Sequence, residues 1–228
     1  MNGLTTYNMK IVAEVLSGSS YNFQLLDLLG DQPVIVDCGA NIGSFSLACK
    51  TLKPGCKIIA VEPDKNSFAS LKINLSSHAS VAFVQAALTN QNGTVSLNSG
   101  TNDGVANSIF AGKMVSESAA VAVESKATVE FLSAIKHQYK NIDVLKMDTE
   151  GGEWFLLDAP AQLLSDVGVI YMEYHSANFL PLLCEKLNAT HVVYEAKIRF
   201  PHRGEIAWVR RDLVPAEQRA YEIKPFAN

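Results

Sequence analysis

Short apolar runs recur along this chain, many of them β-branched and most ending at an acid. Val34-Ile35-Val36 runs into Asp37, Ile58-Ile59-Ala60-Val61 into Glu62, Val144-Leu145-Lys146-Met147 into Asp148, and Val169-Ile170-Tyr171-Met172 into Glu173. Unbroken apolar runs of this length are expected of strands buried on both faces of a parallel sheet. Val81-Ala82-Phe83-Val84 reads as a further strand. Helical spacing fills the intervals. Ser44 to Cys49 opens a helix after the first strand, and Phe68, Leu71 and Leu75 follow the i, i+3, i+7 pattern behind Asp64, a capping residue. Thr128 starts a helix through Phe131, Leu132 and Ile135, and Asn178 to Leu187 forms another, with Pro181 tolerated in its first turn. Strands alternating with helices predict an α/β domain. Val192 to Ala196 and Glu205 to Val209, joined by Arg199 to Gly204, predict an antiparallel pair at the edge of the otherwise parallel sheet.

Two stretches interrupt this rhythm. Asn92-Gly93 opens Thr94 to Leu97, and Ala120 to Glu124 is its expected antiparallel partner. Between them, Asn98 to Ser118 is a Gly-, Ser- and Asn-rich loop, long enough to expect a role over a ligand. Ahead of the first strand, residues 8–29 fall into two pieces around a Gly/Ser break, the second helical in spacing and capped by Gly30. Tyr21, at its start, either covers a ligand or packs in the core. With no internal repeat and no second core, residues 1–30 read as a lead-in packed on the core and residues 31–228 as the functional domain.

Composition narrows the class. A length of 228 residues and 48% hydrophobic content suit one α/β domain with a sizeable core. No apolar run reaches membrane-spanning length, and the N-terminal residues lack the features of a signal peptide, so a cytoplasmic protein without a membrane partner is expected. A net charge of -4 argues against a nucleic-acid partner. Cys38, Cys49, Cys56 and Cys184 have no metal-ligand spacing and read as free thiols.

The chemistry gathers where strands end, because ligands of open α/β sheets bind outside the carboxyl ends of the strands. After the first strand comes Asp37-x-Gly39-x-Asn41-x-Gly43, a small-residue turn into a helix. It lacks the third glycine of a dinucleotide fingerprint. The acid-led form resembles the first motif of class I S-adenosylmethionine (SAM) methyltransferases. Glu62, with Pro63 behind it, stands about 20 residues beyond the glycines, where a carboxylate accepts from a ribose diol, and Ala86 follows the third strand at an adenine pocket. Asp148 and Glu150 are two apart, as are Glu173 and His175, so each pair shares a face if the chain is still extended. Acids packed together raise one another's pKa, which points to a substrate site. Glu153 is expected at the N-terminus of a short helix, and Lys146 as a salt-bridge partner of the acids.

Together, residues 34–47, Glu62-Pro63, Asn107-Ser108 and the run Asp143 to Glu153, with its K-x-D-x-E-G-x-E element, resemble an FkbM-type methyltransferase over roughly residues 10–210. Gly152 is a mild departure from the pattern. The resemblance implies a Rossmann-like class I methyltransferase domain: a mostly parallel seven-stranded sheet, helices on both faces, and an antiparallel C-terminal strand. It implies SAM-dependent O-methylation, often of sugars or secondary metabolites. Carried over by position, Asp37, Gly39, Asn41, Gly43, Glu62, Pro63 and Ala86 hold SAM. Asp148, Glu150, Glu173 and His175 face a small hydroxyl acceptor, with Glu150 or His175 as base, and Asn107 and Ser108 line its pocket. No metal ligand set is assigned, since methyl transfer from SAM needs no Lewis acid; a divalent cation such as Mg²⁺ among the hard oxygen ligands, lowering the hydroxyl's pKa, is the competing version. A non-catalytic SAM-binding module and a nicotinamide-dependent oxidoreductase are the alternatives, the first opposed by the intact acid cluster and the second by the missing glycine.

Overall fold

The computed structural model describes residues 6–97 and 120–215. Helix α1 (Thr6–Leu16) and a 3-10 turn (Phe23–Leu28) lead into strand β1 (Val34–Cys38). Then follow α2 (Ser44–Leu52), β2 (Lys57–Val61), α3 (Lys65–Asn74) and β3 (Val81–Val84). A second run comprises β4 (Ala87–Thr89), β5 (Gly93–Leu97), β6 (Val121–Ala127) and α4 (Thr128–Tyr139). The chain closes with β7 (Val144–Met147), α5 (Ala161–Leu164), β8 (Val169–Tyr174), α6 (Phe179–Leu187), β9 (His191–Phe200) and β10 (Arg203–Arg210).

Seven strands form the main sheet in the order β3-β2-β1-β7-β8-β10-β9. The first five run parallel, and β10 is antiparallel to both β8 and β9. Both sheet faces are covered, which is why the central strands read as unbroken apolar runs. On one face Leu132 of α4, Leu163 of α5 and Phe179 and Leu183 of α6 pack on Val36, Leu145, Ile170 and Trp208. On the other, Leu25, Leu26, Phe45, Phe68 and Leu71 pack on Ile35, Ile58, Val144, Val169 and Tyr171. The lead-in segment belongs to this second layer, and the Tyr171 hydroxyl donates to the Asn22 carbonyl at 2.7 Å. Among the described residues, no helix is long and apolar enough to cross a membrane.

Two local features differ from the sequence reading. The segment before β1 is a 3-10 turn that closes before Gly30: the Leu29 N–H donates to the Leu26 carbonyl, and Leu29 leaves extended. The antiparallel excursion forms with Thr94 opposite Glu124 and Leu97 opposite Val121. It is joined by β4, which pairs parallel with β6 and completes a three-stranded sheet. At three residues β4 is too short to leave a periodic signal; Thr128 ties it down by donating to the Thr89 carbonyl at 2.9 Å. The loop from Asn98 to Ser118, with Asn107 and Ser108, lies outside the described residues.

Where β1 ends, the chain passes under the end of β7 so closely that only glycine fits. Gly39 has φ +77°, and a Cβ there would stand 1.7 Å from the Asp148 carbonyl oxygen. Gly30 has nothing within 4 Å of its would-be Cβ. Gly39→Ala is expected to destabilise the fold by more than about 3 kcal/mol, combining left-handed strain with a backbone clash. Gly30→Ala is expected to stay within roughly 0.5 kcal/mol of the parent. Urea unfolding of the two variants checks both values.

Candidate active site

The floor of the site is a buried ion pair. Asp37 on β1 and Lys146 on β7 are register partners, and Lys146 Nζ lies 3.2 Å from Asp37 Oδ1 with both side chains at most 4% exposed. The same ammonium donates to the Gly39 carbonyl at 2.6 Å and reaches Asp148 Oδ2 at 3.6 Å. Ser46 on α2 donates to Asp37 Oδ2 at 2.7 Å. Burial disfavours the charged lysine, but Asp37 and Asp148 outweigh it and raise its pKa. Asp37 does not line the cavity above but lies beneath the turn that does. Gly43 does not line the cavity either, because it packs on Leu71 and Leu75 of α3, where a Cβ would come 2.8 Å from Leu71.

The cavity itself, about 1280 Å³ with its open mouth, spreads over the carboxyl ends of the strands. On one side it is lined by Gly39, Asn41, Glu62, Pro63 and Ala86, along with Ala40 and Ile42. Asn41 is left-handed, at φ 50°. Its N–H donates to Glu62 Oε2 at 2.8 Å. Its Oδ1 is buried with no partner among the described residues. Glu62 Oε1 accepts from the Asp64 N–H at 2.9 Å. Burial pushes the Glu62 carboxyl up to about 7, against the pull of the two backbone N–H groups and Lys146. Asp64 caps α3 as expected, accepting from the N–H groups of Asn66 and Ser67.

On the other side Asp148, Glu150 and Glu173 line the same cavity, and His175 stands behind them. The imidazole Nε2 is 3.2 Å from Glu150 and 3.7 Å from Glu173, and Nδ1 is 3.4 Å from Glu153. Burial alone would depress this histidine, but Glu153, Glu150 and Asp148 lift it to about 9. Its acid neighbours therefore favour the imidazolium over the neutral ring. Burial and the charge of Asp148 push Glu173 up to about 7, against Arg203 and His175. Burial likewise raises Glu150, whose backbone is left-handed at φ 53°. Such strain in a non-glycine residue is a mark of functional turns.

Glu153 does sit in the first turn of a 3-10 helix, as the sequence suggested, and it also closes the loop before it. Its carboxylate accepts from the Thr149 N–H at 2.8 Å, the Thr149 hydroxyl at 3.0 Å and the Gly151 N–H at 3.0 Å. The glycine at 152 has a local cause: a Cβ there would meet the Thr149 hydroxyl at 2.7 Å and the Leu88 carbonyl oxygen at 2.9 Å. Asp148, Glu173 and His175 bring potential ligand atoms within 4.8 Å of one another. A cation at that trio would compete with the histidine proton and with Arg203.

Arg203 was not foreseen. It meets Glu173 at 2.5 Å through Nε and Glu150 at 3.3 Å through a terminal nitrogen, bridging the two acids. Arg199 and Glu205 also line the cavity. All three come from β9, β10 or their shared turn, and the usable signal was the antiparallel edge pair itself. A strand antiparallel to its neighbours begins where the others end, so its first residues belong to the site. Tyr21 both packs and lines the cavity: its ring is edge-on to Phe45 at 5.0 Å and to Tyr171 at 5.7 Å, and its hydroxyl donates to Asp148 at 3.3 Å.

Comparison with known proteins places this geometry. The model of the methyltransferase FkbM domain family matches residues 37–189. A relative from Sinorhizobium fredii (strain NBRC 101917 / NGR234), named 2-O-methyltransferase NoeI, is 24% identical over 165 residues, spanning 66% of this chain and 67% of that protein. Methyltransferase 1 of Beauveria bassiana (strain ARSEF 2860) is 32% identical over 146 residues, covering 56% of this chain and 58% of its own length. Among solved structures, the methyltransferase FkbM of Methylobacillus flagellatus KT superposes with a TM-score of 0.55 at 15% identity. That match covers 79% of this chain and 44% of the other, and shows a shared fold.

Two outcomes are expected of the site's electrostatics. Lys146→Met leaves Asp37 buried without its cation and should cost about 3–5 kcal/mol in urea unfolding, much of it recovered in the Asp37→Asn, Lys146→Met double variant. The second concerns pH. His175 is raised in the folded state to about 9 from an ordinary 6.5, so its contribution is complete below 6.5 and lost as pH climbs through 9. Unfolding free energy should fall between these limits by on the order of 3 kcal/mol. His175→Gln should flatten that slope.

Proposed function

The chain belongs to the FkbM methyltransferase domain family, whose model spans most of it, and we propose that it moves a methyl group from SAM to a hydroxyl oxygen of a sugar or small secondary metabolite. The observation that carries this reading is the single cavity shared by Asn41 and Glu62 on one side and Asp148, Glu150 and Glu173 on the other. The residues fit SAM. Each oxygen of Glu62 spends one lone pair on a backbone N–H, leaving another for a ribose hydroxyl. The free Oδ1 of Asn41 suits an ammonium donor, and Ala86 and Pro63 supply apolar wall. Bound SAM would supply an electrophilic methyl carbon on a sulfonium. The protein's task is to align the acceptor oxygen and take its proton.

Glu150 takes the proton in this reading. It faces the cavity, burial raises its pKa toward the working range, and Arg203 and His175 hold its carboxylate in place. His175 acts through Glu150 and is a positioning residue. A hydroxyl acceptor is also supported by the name of the Sinorhizobium relative, a 2-O-methyltransferase. In this reading the positive charge around the acids comes from Lys146, Arg203 and His175.

Calorimetry should show SAM and S-adenosylhomocysteine (SAH) binding, NAD not binding, and Glu62→Ala weakening both by about 1–3 kcal/mol. With labelled SAM and a panel of hydroxylated acceptors, transfer should survive EDTA. It should rise with pH as Glu150 ionises, and drop by roughly 100-fold or more in Glu150→Gln at unchanged SAH affinity. Binding of NAD in place of SAM overturns the reading at its base. Loss of activity with EDTA and its return with Mg²⁺ removes the direct-base version.

A further inference from the structure

Strand β10 brings a further acid to the cavity that proton removal does not use. Glu205 is 5% exposed, lines the cavity, and stands directly opposite Glu173 on β8. Like charges facing each other on neighbouring strands are destabilising. Each has its own arginine: Arg203 meets Glu173 at 2.5 Å, and Arg199 meets Glu205 Oε1 at 2.5 Å. The match is incomplete. Arg199 also leans toward Glu14 at 3.7 Å, and Glu205 Oε2 is buried with no partner among the described residues. The cation beside it in register on β9, Lys197, turns to the Ser19 carbonyl at 2.8 Å and to Glu195 at 3.0 Å.

An acceptor-only oxygen, sequestered from water on a residue that lines the cavity, calls for a donor from the ligand. The cations nearby are already committed: Arg203 to Glu173 and Glu150, His175 to Glu150 and Glu153, Arg199 to Glu205. A carboxylate or phosphate entering here would face Glu150, Glu173 and Glu205 at close range. A protonated amine would meet the free oxygen of Glu205 and relieve its opposition to Glu173.

We propose that Glu205, with Arg199 beside it, is an acceptor subsite for an ammonium group, so that the acceptor is a polyol bearing a protonated amine, an amino sugar in chemical class. This rests on the methyltransferase reading above and adds the charge of the acceptor to it. Glu205 is one strand spacing, about 5 Å, from Glu173 in the base cluster. The amine therefore belongs to the same sugar ring as the reacting hydroxyl or to the adjoining one.

The test is a ligand-observed NMR titration of the SAH complex with the methyl glycosides of D-glucosamine, D-glucose and D-glucuronate. The glucosaminide should bind about tenfold or more tightly than the glucoside, a charge-assisted hydrogen bond against a neutral one. The glucuronide should not bind. Glu205→Gln should erase the preference for the amine while SAH affinity, measured separately, stays unchanged. Arg199→Gln, which leaves more negative charge at the subsite, should increase the preference. Glucuronide binding, absence of glucosaminide binding, or an amine preference that survives Glu205→Gln overturns the subsite and leaves the methyltransferase reading standing. Failure of SAH to bind overturns both.

Discussion

The ion pair between Lys146 and Asp37 is the constraint on which the rest of the site depends. Two charges are buried between adjacent central strands, where desolvation is costly and the pair is sustained by its added hydrogen bonds to Gly39 and Ser46. Lys146 ties the end of β1 to the end of β7. It thereby sets the position of the turn that opens the cavity and of Asp148, the first acid beyond β7. The absence of a side chain at Gly39 is the steric counterpart of the same contact, since the two strand ends cross too closely for a Cβ. A turn that looks in sequence like a ligand cradle is thus also a packing joint.

Above this floor, the acids are held by a set of cations that arrive from different parts of the chain. His175 comes from the end of β8, Arg203 from the start of β10, and Lys146 from within β7. Because the cluster is partly desolvated, neutralisation is uneven: burial and Asp148 hold Glu173 above the ordinary carboxylate range, while Glu153, Glu150 and Asp148 hold His175 above the ordinary imidazole range. The loop that carries Glu150 is closed by Glu153, whose carboxylate collects donors from Thr149 and Gly151. The strained backbone at Glu150 is therefore braced from behind by an invisible partner of the cavity, a residue 1% exposed.

Much of the architecture was legible in the amino-acid order, for physical reasons. Strands buried on both faces must be continuously apolar, so β1, β2, β7 and β8 announced themselves. The motif around Gly39 and Asn41, Glu62 after β2, and the acids after β7 and β8 were readable because a parallel sheet places all such strand ends at one edge. Short or irregular pieces were not legible. The turn before β1 has helical spacing yet closes as 3-10, and β4 exists only because β6 is there to pair with it.

The sequence by itself determined the layered sheet and the acids at the ends of the parallel strands, because hydrophobic period and strand-end position are local properties, and its motifs carried the resemblance to the family. Only the tertiary structure decided which role each polar group plays. It paired Asp37 with Lys146, packed Gly43 against α3, drew His175 behind the carboxylates, and delivered Arg199, Arg203 and Glu205 from the antiparallel edge. Those assignments turn on contacts between residues far apart in the chain and on how much water each group loses. Neither quantity is written in the spacing of neighbours along the sequence.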